Sequence, residues 1–175
     1  LKSAEIPDSQ EICFVPNDDY RELIQIRLPE LSKELSGGDL LYKDEKIGTH
    51  KGYPYYTIGQ RRGLNVSVGK KIYVSRIDPE KNRVIMDDES ELYNTKFSVK
   101  EINLMMFDEV KSPLNLNVKI RYNGKGYKAV IEQTGEDTII VAFEKAQKAI
   151  TPGQSAVFYI GEDVVGGGII DKILE

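Results

Sequence analysis

Between Asn17 and Leu35, apolar residues fall at Tyr20, Leu23, Ile24, Leu28, Leu31 and Leu35. That three-and-four spacing predicts a helix with Asn17 and Asp18 as its N-caps, broken or kinked by Pro29. Ser36-Gly37-Gly38 ends it, because glycine readily takes the left-handed backbone found at helix ends. From Asp39 onward the period changes from helical to alternating. Asp39 to Tyr42 and Lys46 to His50 flank Lys43-Asp44-Glu45 as a short hairpin, and KIYVSRID and NRVIMDD flank a Pro79-Glu80-Lys81 turn. Beyond Tyr93-Asn94, FSVKEINLM, LNLNVKIRY, GYKAVIEQ, DTIIVAFE, SAVFYIG and VVGGGIID recur at the spacing of a barrel or sandwich, with Asn123-Gly124 as a hairpin turn. The expected fold is mainly β: a short helical lead-in at 1–38, a small central β domain at 39–95, and a C-terminal antiparallel six-stranded β-barrel at 96–175.

Composition narrows the classes of function. The 175 residues are 40% hydrophobic, enough for a real core. No stretch reaches the roughly 18 consecutive apolar residues of a membrane span, and LKSAEIPDSQ lacks the order of a signal peptide. Cys13 is the one cysteine, so no internal disulfide forms, and a reducing cytoplasm is the expected compartment. The chain opens at Leu1 and reads there as the middle of a longer polypeptide. A net charge of −4 argues against non-specific nucleic-acid binding, which depends on Lys and Arg neutralising phosphates. Any RNA contact is therefore expected at a local patch.

Several residues carry candidate chemistry. Cys13, in an apolar stretch after a polar run, reads on its own as either a packed cysteine or a reactive thiol. Metal binding is set aside, since zinc sites need several Cys or His at short spacing and this chain has one of each. Thr57-Ile58-Gly59-Gln60-Arg61-Arg62-Gly63-Leu64 brings two guanidinium forks beside glycines, either a phosphate-binding loop or a solvated turn. Tyr53, Tyr55 and Tyr56 just before it favour the functional alternative. Arg121 and Tyr122, at a strand end before Asn123-Gly124, place a cation and an aromatic face at a sheet rim, for phosphate and base or as an exposed cross-strand pair. Thr151-Pro152-Gly153-Gln154 and Gly166-Gly167-Gly168 read as turns and as permission for close backbone approach. His50, without an evident partner, reads as structural rather than catalytic.

In order along the chain, DSQEICF, a helix, IGTHKGYPYYTIGQRRGL, IYVSRID, VKIRY, AITPGQSAVFY and GGGII resemble the tRNA-specific 2-thiouridylase family, the tRNA-uridine 2-sulfurtransferases. The resemblance implies a three-part enzyme, of which residues 1–38 are the tail of an N-terminal PP-loop catalytic domain with a helical linker. The family's activity is ATP-dependent 2-thiolation of the wobble uridine, U34, in tRNAs for Lys, Glu and Gln. By that pattern Cys13 carries a persulfide, supplied by a cysteine desulfurase or a sulfur-relay protein, and a second cysteine in the N-terminal domain forms a disulfide with it as sulfur leaves. ATP belongs to that domain, so the fragment alone is expected to be inactive. tRNA-binding roles fall on Arg121, Tyr122 and Gln154, and on Gln60, Arg61 and Arg62, which place the anticodon region or order the Cys13 loop. Cys13 is expected in a mobile lead-in. The alternatives are a non-enzymatic RNA-binding β-barrel and a structural module mediating protein contacts.

Overall fold

A computed structural model of the chain describes residues 20–122 and 124–174; Cys13, the Asn17-Asp18 cap and Asn123 lie outside them. The helical lead-in is two short helices, α1 (Tyr20–Arg27) and α2 (Pro29–Glu34), divided at Leu28. Pro29 does not merely kink one helix. It opens the second, where its fixed φ suits the first turn and its missing N–H costs no hydrogen bond.

Ten strands follow. β1 (Asp39–Tyr42), β2 (Glu45–Thr49), β3 (Tyr73–Asp78) and β4 (Arg83–Asp87) form a sheet in the order β2-β1-β4-β3. The first hairpin is tighter than the spacing predicts. Lys43 and Asp44 alone make the turn, both with positive φ, and Glu45 already pairs with Tyr42. Two left-handed residues match the twist of the strands they join.

His50 is the buried polar centre of the first hairpin's base. It is 3% exposed, accepts a hydrogen bond at Nδ1 from the Gly52 amide at 3.1 Å, and lies with Nε2 3.2 Å from the Asn82 carbonyl oxygen. An unprotonated Nδ1 leaves the proton on Nε2, so the neutral ring donates to Asn82. Gly38 makes room for it: a Cβ there would lie 2.5 Å from His50 Nε2 and 2.1 Å from Asn82 O. The structural reading of His50 has its partners here, two backbone groups that no local pattern announces.

β5 (Tyr93–Leu104), β6 (Leu114–Lys119), β7 (Tyr127–Gly135), β8 (Thr138–Lys148), β9 (Ser155–Ile160) and β10 (Asp163–Leu174) close into a six-stranded antiparallel barrel, ordered β10-β5-β8-β7-β6-β9. Alternation sets which side chains point in. On β8, Ile139, Val141 and Phe143 are buried, and on β9 Ala156 and Phe158, all within one cluster with Phe97, Val99 and Ile131. The triple glycine of β10 lets neighbouring backbones approach. A Cβ at Gly167 would meet Ala156 O at 2.5 Å, and one at Gly168 would meet Lys100 O at 2.4 Å. A bulge at Glu101 (φ 52°) leaves the amides of Glu101 and Ile102 to the Asp137 carboxylate, at 3.1 and 2.6 Å.

Contacts gather the described residues into two units that interleave in sequence. One holds the chain up to Thr57 with Ile77–Ile85, the other Ile58–Arg76 and everything from Met86 onward. No described helix is long and apolar enough to cross a membrane.

Two outcomes follow from this packing. Phe158→Ala empties a fully buried site in the barrel and lowers unfolding free energy by about 3–5 kcal/mol, read by chemical denaturation. Burial holds the His50 pKa below its ordinary value of 6.5, the Asn82 bond and Asp39 opposing. The unfolded chain therefore takes up a proton that the folded one refuses between 6.5 and the lowered folded value. Stability is full above about pH 6.5 and falls as pH drops through that window. Since the chain has one histidine, His50→Gln removes this slope from denaturation curves taken between pH 7.5 and 5.5.

Candidate nucleic-acid interface

The predicted binding residues divide among three loops of the second unit. The first is the 58–64 loop. Gly59 (φ +87°) donates its amide to Val74 O at 2.7 Å, and Val74 donates back to Gln60 O at 2.9 Å, so β3 holds the loop by its backbone. Leu64 is buried and anchors its far end, while Arg61 and Arg62 are exposed. The Gln60 side chain donates to Arg62 O at 2.9 Å, which ties the loop to itself. Of the tyrosines upstream, Tyr55 is buried and hydrogen-bonded to Ser32 at 3.3 Å, so it serves packing in the first unit.

The second is the 149–154 loop between β8 and β9. Ala149 sits in the left-handed region (φ 53°) and is 4% exposed, an arrangement that costs a non-glycine residue about 1–2 kcal/mol. Its amide donates to Leu92 O at 2.7 Å and its carbonyl accepts from Thr151 Oγ1 at 3.1 Å. A Cβ at Gly59 would stand 3.1 Å from the Ala149 Cβ, so the two loops approach closely because Gly59 has no side chain. Gly153 and Gln154 are held by β10, Gly153 donating to Ile170 O and Ile170 donating to Gln154 O, each at 2.8 Å; the Gln154 side chain is exposed.

The third is the 120–126 connection. β6 ends at Lys119 and its pairing with β7 at Val118↔Tyr127, so Arg121 and Tyr122 lie in a loop wider than the two-residue turn predicted from Asn123-Gly124. Arg121 is not a wholly free cation. Its Nη2 donates to Lys148 O at 3.1 Å and Ala149 O at 3.2 Å, fastening this loop to the previous one. A guanidinium has five N–H donors, and those on Nε and Nη1 remain for a phosphate. Tyr122 is 84% exposed, unusual for an aromatic residue.

These elements frame a groove of about 620 Å³ lined by Arg121, Tyr122, Gly153 and Gln154, with Lys119 and Tyr159 on its strand side. It brings together three predicted residues far apart in sequence. Gln60, Arg61 and Arg62 do not line this groove; the Gly59–Ala149 approach brings their loop beside the 149–154 loop. Beside that approach Lys148 pairs with Glu89 and stands 5.0 Å over the Tyr73 ring. Lys148 lowers the Glu89 pKa and Glu89 raises that of Lys148, so both stay charged. Lys148 lies in none of the motifs, and Lys119 and Tyr159 stand within VKIRY and AITPGQSAVFY without being singled out there; only their outward positions in alternating strands mark them. Among the described residues no three His, Cys, Asp or Glu side chains cluster as a metal site would require.

Residues 31–88 match the tRNA methyl transferase PRC-barrel domain family, and residues 94–170 the aminomethyltransferase beta-barrel domain family. The first match spans the four-stranded sheet and the second most of the closed barrel, which defines the class of the chain as two β domains of these families. Among curated proteins, the tRNA-specific 2-thiouridylase MnmA of Carboxydothermus hydrogenoformans is 43% identical over 99% of this chain and 47% of its own length. Those of Salinibacter ruber and Clostridioides difficile are each 44% identical, over 97% and 96% of this chain and 45% and 46% of their own. The chain belongs to the tRNA-specific 2-thiouridylase family, and spans about half the length of the curated relatives it matches.

Removing the Arg121 guanidinium tests its fastening role. Arg121→Ala should lower stability by about 1–2 kcal/mol and speed hydrogen exchange at the Ala149 amide at least about tenfold. Unchanged exchange at Ala149 would show that the loop holds itself.

Proposed function

We propose that this chain serves ATP-dependent 2-thiolation of the wobble uridine, U34, in tRNAs for Lys, Glu and Gln, with Cys13 as the sulfur carrier and the barrel groove as a grip on the tRNA. The observation that carries this reading is one groove uniting Arg121, Tyr122 and Gln154 in a chain 43% identical, across 99% of its length, to a tRNA-specific 2-thiouridylase. In that groove Tyr122 offers a face for a base, Gln154 an amide that both donates and accepts, and Arg121 its remaining donors for a phosphate.

RNA contact is assigned to the described residues. A phosphate cradle of the usual kind is a glycine loop opening an α-helix; among the described glycines Gly52 opens only the three-residue 3-10 helix Tyr53–Tyr55, Gly37 and Gly38 precede β1, and Gly166, Gly167 and Gly168 lie within β10. ATP is assigned to the part of the relatives that this chain does not span. A cysteine desulfurase or sulfur-relay protein loads Cys13. The terminal sulfur of the persulfide then forms a C–S bond at C2 of the uridine as the activated C2 oxygen departs. A second thiol attacks the Cys13 Sγ, cutting the S–S bond and leaving a disulfide that must be reduced before the next cycle. A persulfide suits the task, being acidic enough to be anionic at neutral pH and strongly nucleophilic. A reducing, cytoplasmic location accords with this cycle.

The test uses the full-length protein with ATP, labelled sulfur and tRNA. Cys13→Ser should abolish transfer while leaving the tRNA Kd within about twofold, since a one-atom change there removes none of the Arg121, Tyr122 and Gln154 side chains. Undiminished transfer would remove Cys13 from the mechanism and leave a non-enzymatic RNA-binding barrel as the better account.

A further inference from the structure

The groove does not end at the loops. On its strand side it runs onto β6 and β9, where alternation turns Lys119 and Asn117 outward about buried Val118; on neighbouring β7, Lys128 turns outward beside buried Ala129. Register brings these together. Asn117 pairs with Lys128 across β6 and β7 and with Tyr159 across β6 and β9, so two lysines and a tyrosine surround one asparagine.

Three features mark this surface as built for an anion. Lys119 Nζ lies 5.2 Å from the Tyr159 ring centroid, an attraction that holds the ammonium over the groove while leaving its N–H groups free to donate. Gly126 lies against the Lys119 stem, where a Cβ would stand 3.8 Å from Cγ and 3.3 Å from the Asn117 Cβ, so no side chain from β7's approach covers the lysine. Among the described residues, no carboxylate lies within ion-pairing distance of Lys119, Arg121, Lys125 or Lys128, whereas Lys46, Lys70, Lys100 and Lys148 each have one. In a chain of net charge −4, Lys119 and Arg121 line the groove and Lys128 stands across β6 and β7 from Asn117, and these cations without ion pairs make a local positive field.

We infer that Lys119 and Lys128 form a second phosphate-binding surface, continuing from the loop groove along the outer face of the barrel, and that Tyr159 positions the Lys119 ammonium for it. The ligand is the sugar-phosphate backbone of the same RNA, beyond the nucleotide held at Tyr122. The surface reads charge and spacing, and carries no base discrimination. This inference rests on the proposed tRNA grip of the loop groove, and the experiment separates the two.

Binding of a fluorescent tRNA to the chain is followed by anisotropy across a salt series. The double variant Lys119→Ala/Lys128→Ala should weaken binding about tenfold at low salt and reduce the slope of log K against log salt by roughly 0.7–0.9 per lysine, with the unfolding temperature unchanged. Tyr159→Phe, which keeps the ring, should match wild type, whereas Tyr159→Leu should lose part of the slope. A salt slope unchanged in the double variant, with Tyr122→Ala still weakening binding, overturns the second surface and leaves the loop groove standing. A reduced slope with Tyr122→Ala neutral supports the lysine surface and removes the loop groove. No binding by the wild-type chain even at low salt overturns both.

Discussion

The candidate interface depends on one buried alanine in a left-handed conformation. Ala149 receives the Arg121 guanidinium on its carbonyl, gives its amide to Leu92, and sets its methyl against Gly59. Through it the 58–64, 120–126 and 149–154 loops share one support. A strained residue persists only where its surroundings over-determine it, and here backbone hydrogen bonds, a guanidinium and close packing do so together. The closed barrel beneath supplies the rigidity. β6 and β9 are paired neighbours, and the loops that leave them carry Tyr122 and Gln154 to a common groove.

Electrostatics then gives the groove its character. The chain is acidic as a whole, and several of its lysines are ion-paired, as in the Lys148–Glu89 and Lys100–Asp171 pairs. Such exposed pairs add little stability. Their effect is to leave the field concentrated where lysine and arginine stand without carboxylates, and a local field suits recognition of one folded RNA better than a uniformly basic surface does. A negative net charge is thus compatible with the proposed RNA partner.

The strands were legible because every barrel strand separates an inside from an outside, which writes a period of two into the sequence; Ile139, Val141 and Phe143 are a plain example. Pro29 likewise announced the helix boundary, though not that a second helix begins on it. What stayed hidden were relations at long range. Arg121 reads as an exposed rim cation, and its attachment to carbonyls 27 and 28 residues away has no local signature. Alanine is no turn residue, so the left-handed Ala149 was invisible, and so was the reason Gly59 must be glycine. His50 was recognisable as structural only by default, since both its partners are backbone groups. The family motifs assigned roles to Tyr122 and Gln154 but none to Lys119, although it stands within VKIRY. The expected mobility of the Cys13 segment concerns residues outside those described.

The proposed tRNA grip sets a single face of the second unit, organised around Ala149, against the RNA. Backbone amide NMR of the isotopically labelled chain, titrated with unmodified tRNA, tests it most directly. The account predicts shift changes concentrated at residues 119–126 and 149–155, with the opposite, Met105-to-Leu114 segment and the His50 region unmoved. Shifts centred on Met105, Met106 and Phe107, with Tyr122 and Gln154 silent, would contradict it.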